Sequence, residues 1–151
     1  MLTSGEEVDI LVVEDNDSDR DSIVESLTNA IKNVRVAATR NGAEAIDFLL
    51  ARGPWKNRAG LNPPKLILLD LEMVGTDGFS VLGQIRAIVP KDALTLTPVV
   101  MFTDSKAPGD ITASYLGGAN SYIIKPLSFP DFKLVVERVG QYWMSHNVAS
   151  E

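Results

Sequence analysis

The sequence predicts an α/β domain built on a parallel β-sheet, and two observations lead to this prediction. Five short apolar segments alternate along the chain with five longer segments in which apolar residues recur at helical spacing. The first and third apolar segments, residues 9–13 and 65–69, are almost continuously apolar, which is typical of parallel strands buried on both faces. Strands and helices that alternate in this way form a parallel sheet with crossover helices packed on it.

The first predicted strand, residues 9–13, ends at Glu14 and Asp15. The helix that follows has an apolar face made of Ile23, Val24, Leu27, Ala30 and Ile31. Residues 34–38 are predicted to form a second, more exposed strand. Asn41 is suited to cap the second helix, whose apolar residues are Ala45, Ile46, Leu49 and Leu50.

A polar segment rich in glycine and proline, residues 52–64, is predicted to be a loop before the third strand. That strand, residues 65–69, ends at Asp70. The third helix carries the apolar residues Phe79, Leu82, Ile85 and Ile88. The fourth strand, residues 98–102, ends at Thr103.

A short fourth helix, ended by the sequence "GGAN", holds Ile111 and Tyr115. The fifth strand, residues 121–124, ends at Lys125. Ser128 is suited to cap the last helix, whose apolar face consists of Phe132, Val135, Val136, Val139 and Trp143.

Composition excludes several classes of protein. The 151 residues fit one ordinary domain, and 45% of them are hydrophobic, which is enough for a core. The net charge of −6 argues against non-specific binding to nucleic acid or to an anionic membrane. The chain has no cysteine and one histidine, His146, so a disulfide, a thiolate metal site and a multi-histidine site are excluded. No apolar run approaches the roughly 20 residues that span a bilayer, and no signal peptide is visible, so we expect a cytoplasmic protein.

Polar residues follow four of the five predicted strands: Glu14 and Asp15 follow the first, Asp70 the third, Thr103 the fourth and Lys125 the fifth. The carboxyl ends of parallel strands lie at one edge of a sheet, which is where α/β sheets bind ligands. We therefore expect these five side chains to lie close together.

The chemistry of this set suggests phosphoryl transfer. Three clustered carboxylates repel one another unless a cation lies among them, and oxygen ligands of this kind suit Mg²⁺. Asp70 can act as a nucleophile that forms an acyl phosphate, while Lys125 and Thr103 can contact the phosphoryl oxygens. The alternatives are a structural ion pair for Lys125 and, for Asp17 and Asp19, simple stabilisation of a helix N-terminus.

Four motifs, in this order and spacing, resemble the receiver domain of two-component response regulators over essentially the whole chain. They are "VVEDN" at 12–16, "LLDLEM…DGF" at 68–79, "FTDS" at 102–105 and "SYIIKP" at 121–126. The resemblance implies a flavodoxin-like (βα)5 doubly wound sheet with strand order 2-1-3-4-5. It also implies a single receiver domain over residues 1–151, with a core at about 8–144 and no output domain.

The resemblance further implies that Asp70 accepts a phosphoryl group from a sensor histidine kinase. Glu14, Asp15 and Asp70 would bind Mg²⁺, and the main-chain carbonyl of Glu72 would complete the protein ligands. The chain would thus be a signalling domain rather than an enzyme, with only self-phosphorylation and self-dephosphorylation chemistry.

Other implied roles concern the fourth and fifth strands. Thr103 and Tyr122 would form a switch pair in which Thr103 moves towards the phosphoryl group and Tyr122 turns inward. Lys125 would contact the phosphate, and its peptide bond to Pro126 would be cis. Phosphorylation would then change a partner-binding or dimerisation surface.

Two segments are similar to the small regulators that pair with phytochrome-type sensor kinases: "SYLGGANSYIIKP" and "FPDFKLVVERVGQYWM". A bacterial phytochrome is therefore the expected kinase partner. A homodimer through the C-terminal region is also expected, with Val139, Tyr142 and Trp143 in the contact. The alternative is that these three residues simply pack the last helix onto the core.

The chain departs from the family pattern at two positions. Val74 stands where the family usually has proline, so the loop at 72–78 is expected to be less constrained. Asp104 stands where the family usually has a small residue, and with Glu72 it adds negative charge beside Asp70. We expect slower phosphoryl transfer from small donors, or altered hydrolysis of the aspartyl phosphate.

Three other functions compete with this interpretation. A phosphatase with an aspartyl-phosphate intermediate would use Glu72 as a second acid. A flavin- or nucleotide-binding module would need a glycine- or hydroxyl-rich loop after the first strand, where this chain has the anionic "EDNDSD". A pseudo-receiver that only binds partners would not need the complete set of acids, threonine and lysine.

Overall fold

The computed structural model describes residues 5–73, 75, 77–88 and 91–150. Within this part of the chain, the strands form one parallel sheet in the order β2-β1-β3-β4-β5. The strands are β1 Ile10–Val13, β2 Val36–Thr39, β3 Leu66–Leu69, β4 Val99–Thr103 and β5 Ser121–Ile124. The predicted α/β class and the strand order 2-1-3-4-5 are both confirmed.

Five α-helices alternate with these strands: α1 Asp17–Ala30, α2 Gly42–Leu49, α3 Gly78–Arg86, α4 Pro108–Leu116 and α5 Phe129–Ser145. Asn41 accepts a hydrogen bond from the main-chain N–H of Glu44, and Ser128 accepts one from that of Asp131. Both predicted N-caps are therefore confirmed, and each satisfies a main-chain donor that the helix itself leaves free.

The core lies on both faces of the sheet because successive residues of each central strand point to opposite sides. Leu11 and Val13 of β1 pack on one face with residues of α2 and α3, whereas Ile10 and Val12 pack on the other with residues of α1 and α5. All four residues of β1 and all four of β3 are buried, as predicted for strands covered on both faces. Each fully buried aliphatic side chain contributes about 1.5–3 kcal/mol.

The segment between α2 and β3 differs from the prediction. Residues 52–64 were expected to form an irregular loop, but Gly53–Arg58 forms a 3-10 helix. This helix is held by tertiary packing, since the Trp55 ring meets Phe48 edge-on with ring centroids 5.0 Å apart. The packing of Trp55 on Phe48 therefore stabilises a helical turn in a segment whose glycine and proline content predicted a loop.

Smaller differences concern element ends. β2 begins at Val36 rather than at residue 34, Thr103 is the last residue of β4, and α3 ends before Ile88. In α4, Tyr115 is 50% exposed and Ile111 is partly buried. No helix in the described part of the chain is both long enough and apolar enough to cross a membrane.

Candidate functional site

The residues that follow β1 and β3 bring three carboxylates together. The main-chain N–H of Glu14 donates to the carbonyl of Thr39, and that of Asp70 donates to the carbonyl of Val13, so the strand ladder continues one residue into the site. One carboxylate oxygen from each of Glu14, Asp15 and Asp70 lies within 4.8 Å of the others. Glu14 and Asp70 are buried, and Asp15 is partly exposed.

Lys125 reaches this cluster from the end of β5. Its Nζ donates to Glu14 Oε1, to Asp19 Oδ2 at 2.8 Å and to Asp70 Oδ2 at 3.1 Å. A buried ammonium requires such partners, because its three N–H groups lose their contacts with water. The ion pair considered as an alternative for Lys125 therefore exists, and it includes the predicted phosphoacceptor.

Asp19 has a larger part in the site than the sequence suggested. Its position in the first turn of α1 was interpreted as stabilisation of the helix N-terminus, yet its carboxylate contacts Lys125. The side chain of Asp19 is 33% exposed, against 4% for that of Lys125. Asp19 thus forms the solvent-facing side of the lysine's environment.

The charges of this cluster perturb one another. The pKa of Glu14 is raised to about 8, mainly because the residue is buried. The charge of Asp70 raises this pKa further, whereas the hydrogen bond and the charge of Lys125 lower it. Burial lowers the pKa of Lys125, but its hydrogen bonds with Asp19 and Glu14 outweigh this, and the net pKa is raised. Lys125 is therefore charged at neutral pH, while the carboxylates exceed what one ammonium can neutralise.

Both carboxylate oxygens of Asp70 are engaged. Oδ2 contacts Lys125, and Oδ1 accepts from the main-chain N–H of Glu72 at 3.2 Å. Gly78 packs directly behind this segment: its N–H donates to the carbonyl of Leu71 at 2.8 Å. A Cβ at Gly78 would lie 2.9 Å from Leu71 Cα and still closer to the carbonyl oxygen of Asp70. The chain therefore requires glycine there to keep Asp70 in place.

Thr103 and Tyr122 are linked through Ser105. Thr103 is buried at the end of β4, and its Oγ1 accepts from the main-chain N–H of Ser105 at 3.4 Å. The Tyr122 hydroxyl donates to the carbonyl of Ser105 at 2.8 Å, and the Ser105 hydroxyl donates to Asp110. Burial raises the pKa of Tyr122. Ser105, which sequence reasoning did not single out, therefore connects the two predicted switch residues.

The structure describes Asp104 and the neighbouring Glu72, but not Val74. The side chain of Glu72 is exposed, and Asp104 is an exposed residue lining a cavity of 380 Å³ together with Asp19 and Lys125. Val74 lies outside the described residues, so the reduced constraint of its loop stays a prediction. The cis geometry of the bond between Lys125 and Pro126 also stays a prediction.

The donor set fits a hard divalent cation. It offers three carboxylates, one of them partly exposed, with no sulfur or nitrogen ligand among them. The excess of carboxylates over ammonium groups supports the same conclusion, because an added cation would relieve their repulsion.

Comparison with known proteins identifies the class. Residues 10–137 match the family model of the response regulator receiver domain. The chain therefore belongs to the response regulator receiver domain family, whose members are signalling domains of two-component systems.

Several individual response regulators are similar to this chain over most of their length. The chain is 37% identical to the probable methanogenesis regulatory protein FilR2 of Methanothrix harundinacea, covering 91% of this chain and 84% of FilR2. It is 32% identical to response regulator Rcp1 of Synechocystis, covering 89% and 88% of the two chains. Among solved structures, the phosphorylated cyanobacterial phytochrome response regulator RcpA has a TM-score of 0.85 at 32% identity, with 97% of this chain and 100% of RcpA covered. The Mn²⁺-bound form of Rcp1 has a TM-score of 0.83 at 30% identity, with the same coverage.

Proposed function

We propose that this chain is the phosphoacceptor of a two-component phosphorelay, in which Asp70 receives a phosphoryl group from a histidine kinase. The observation that carries the proposal is the contact between Lys125 Nζ and Asp70 Oδ2, beside the carboxylates of Glu14 and Asp15. A buried carboxylate at a sheet edge, with a cation beside it and acids around it, has the parts that phosphoryl transfer requires.

In the proposed reaction, a carboxylate oxygen of Asp70 forms a bond to the phosphorus of a phosphohistidine. The P–N bond breaks, and the imidazole nitrogen keeps the electron pair and takes up a proton. Lys125, freed from part of its contact with Asp19, stabilises the negative charge on the phosphoryl oxygens. The main-chain N–H of Glu72 holds the other oxygen of Asp70 in position.

We propose that Glu14, Asp15 and Asp70 hold Mg²⁺, with the main-chain carbonyl of Glu72 as a further ligand. When bound, the ion supplies positive charge that offsets the carboxylates and the incoming phosphoryl oxygens. The chain's own part is to bring one carboxylate oxygen from each of Glu14, Asp15 and Asp70 within 4.8 Å of the others. The Mn²⁺-bound structure of Rcp1 supports a divalent cation in this family, and Mg²⁺ is our assignment for this chain.

The switch is proposed to run through Thr103, Ser105 and Tyr122. A phosphoryl group on Asp70 would attract the Thr103 hydroxyl, which would weaken its contact with the Ser105 N–H. Because Tyr122 donates to the carbonyl of the same Ser105, its position would respond. Phosphorylation would raise the population of the active conformation only if the phosphoryl group makes more favourable contacts in that conformation than in the inactive one.

The kinase partner is proposed to be a bacterial phytochrome. Several similar solved structures are of phytochrome response regulators, including the cyanobacterial RcpA and the bacteriophytochrome response regulator RtBRR. Transfer from a phosphorylated phytochrome kinase that outpaces transfer from an unrelated kinase would support this partner, and equal rates would contradict it.

A homodimer through the C-terminal region is proposed as well. Val139, Tyr142 and Trp143 line a cavity of 440 Å³ between β5 and α5, and Tyr142 is 50% exposed. Sedimentation velocity should show a dimer that Tyr142→Glu converts to monomer, while Tyr115→Glu on the equally exposed Tyr115 leaves it intact. A monomer at all concentrations contradicts the dimer.

Incubation with acetyl phosphate and Mg²⁺, followed by intact mass, tests the main proposal. The wild type should gain one phosphoryl group, and Asp70→Asn should gain none. Asp77→Asn, which keeps a capping oxygen at the start of α3, is the matched control and should be phosphorylated normally. Catalytic turnover of a free phosphomonoester such as p-nitrophenyl phosphate would instead favour the phosphatase.

A further inference from the structure

The three hydrogen-bond donors of the Lys125 ammonium group are all engaged in the unphosphorylated site. An ammonium group carries three N–H bonds and no acceptor. Those of Lys125 are directed at Glu14 Oε1, Asp19 Oδ2 and Asp70 Oδ2. A phosphoryl oxygen on Asp70 can therefore receive a hydrogen bond from Lys125 only if one of these three carboxylate oxygens gives up its own.

Asp19 is the acceptor that can be exchanged at the lowest cost. Its side chain is 33% exposed, whereas those of Glu14 and Asp70 are 2% and 9% exposed. A buried carboxylate that loses its cation is left without a charged partner and without water. A partly exposed carboxylate is hydrated again when it is released. We therefore expect the contact of Lys125 with Asp19, at 2.8 Å, to be the one that opens on phosphorylation.

The position of Asp19 allows its carboxylate to leave without a change in the fold. Asp19 lies in the first turn of α1, and its main-chain N–H donates to the capping oxygen of Asn16 at 2.8 Å. Its side chain lines a cavity of 380 Å³ together with Lys125 and Asp104. The carboxylate can turn into this space while the helix stays capped.

We propose that Asp19 is a positioning residue that occupies the Lys125 donor needed by the phosphoryl group and thereby slows phosphorylation of Asp70. The inference rests on the proposed function, because it concerns the lysine that stabilises the phosphoryl oxygens. Only those molecules in which Lys125 has left Asp19 have a donor ready for the phosphoryl group, and the rate is reduced by that fraction. Asp19 acts through Lys125 rather than on the reacting atoms.

Asp19→Asn tests this role, because it keeps the shape of the side chain but removes its charge. The charge-assisted hydrogen bond to Lys125 is lost, so phosphorylation by acetyl phosphate with Mg²⁺ should be about three- to fivefold faster than in the wild type. Asp21→Asn is the matched control, since it removes the same charge from an exposed position of α1. Its rate should differ from that of the wild type by less than about twofold.

The rates distinguish this inference from the proposed function. Similar rates in Asp19→Asn and Asp21→Asn, with a phosphorylated wild type, overturn the role of Asp19 and leave the proposed function standing. Absence of a phosphoryl adduct on the wild type overturns both.

The Lys125→Met background separates an effect through the lysine from a general effect of charge. Most of the acceleration caused by Asp19→Asn should disappear in this background, because no ammonium group remains to be released. The same acceleration with and without Lys125 contradicts the proposal.

Urea unfolding in EDTA measures the contact without phosphorylation. Asp19→Asn should lower the urea midpoint of the wild type but not that of Lys125→Met, whereas Asp21→Asn should shift neither. Equal shifts from Asp19→Asn in both backgrounds would show that Asp19 and Lys125 are not coupled, and would overturn the proposal. If Lys125→Met does not fold, the rates of Asp19→Asn and Asp21→Asn decide alone.

Discussion

The Nζ of Lys125 lies 3.1 Å from Oδ2 of Asp70, although 55 positions separate the two residues along the chain. The parallel sheet makes this contact possible, because β3 and β5 flank β4 and end at the same edge. The same lysine also contacts Glu14 and Asp19, so one cation holds together acids from three parts of the chain.

Replacing Lys125 with methionine should destabilise the metal-free protein. The buried carboxylate of Asp70, and above about pH 8 that of Glu14, would lose its cation, and breaking a buried pair of this kind costs about 3 kcal/mol. Urea unfolding in EDTA measures the change. The control is Lys133→Met, whose exposed pair with Glu137 at 4.0 Å should contribute less than about 0.5 kcal/mol. Equal losses in the two variants would show that the buried cluster has no special role.

Metal-free stability should decrease with pH because of Glu14. Its pKa in the folded chain is about 8, above the value of 4.5 expected when unfolded. Between these values the folded chain holds a proton that the unfolded chain releases, so the free energy of unfolding falls as pH rises from about 5 to about 8.

Melting temperatures of the wild type and Glu14→Gln, recorded in EDTA across this pH range, test the assignment. The glutamine cannot ionise, so the variant should show a flatter pH dependence and should be the more stable protein near the upper end of the range. Parallel curves for the two proteins would assign the pH dependence to other groups.

Gly78→Ala should impair both stability and phosphorylation. The new Cβ would clash with main-chain atoms of Asp70 and Leu71, which cannot move aside as the end of a flexible side chain could. A cost of about 1–3 kcal/mol is typical of such overpacking. Gly83→Ala, in the same helix, meets nothing within 4 Å and should be neutral or stabilising, since alanine favours helices. Thermal unfolding and the rate of adduct formation should therefore separate the two variants, and similar behaviour would contradict the packing argument.

Removing the extra negative charge near Asp70 should speed phosphorylation by small donors. Asp104→Ala and Glu72→Asn each remove an exposed carboxylate, and an exposed charge of this kind changes rates by about two- to fivefold. Rates of phosphorylation by acetyl phosphate and of dephosphorylation after its removal give the answer. If both rates remain at the wild-type values in both variants, these two charges do not tune the site.

The sequence was sufficient to predict the fold class and the meeting of four side chains, those of Glu14, Asp15, Asp70 and Lys125. The approach of the Thr103 side chain to this cluster stays a prediction. Continuous apolar runs identified β1 and β3, and the polar residue after each strand identified the edge of the sheet. Strand order came from the family resemblance, because alternation alone is compatible with several orders. The strands and the polar residues after them could be predicted because they depend on local sequence pattern.

Features that depend on tertiary packing were not predicted. Asp19 contacts Lys125 from a distant part of the chain, and Gly78 closely approaches Asp70 across the loop that joins them. Neither contact is marked by a sequence pattern. The 3-10 helix at Gly53–Arg58 was missed because its stability comes from Trp55 against Phe48.

The central claim is that Asp70, and no other acid of the cluster, receives the phosphoryl group. Borohydride reduces a phosphorylated aspartate to homoserine, which peptide mass spectrometry locates. After treatment with acetyl phosphate and Mg²⁺, homoserine is predicted at position 70 alone. Homoserine at position 15 or 19, or at no position, would contradict the account.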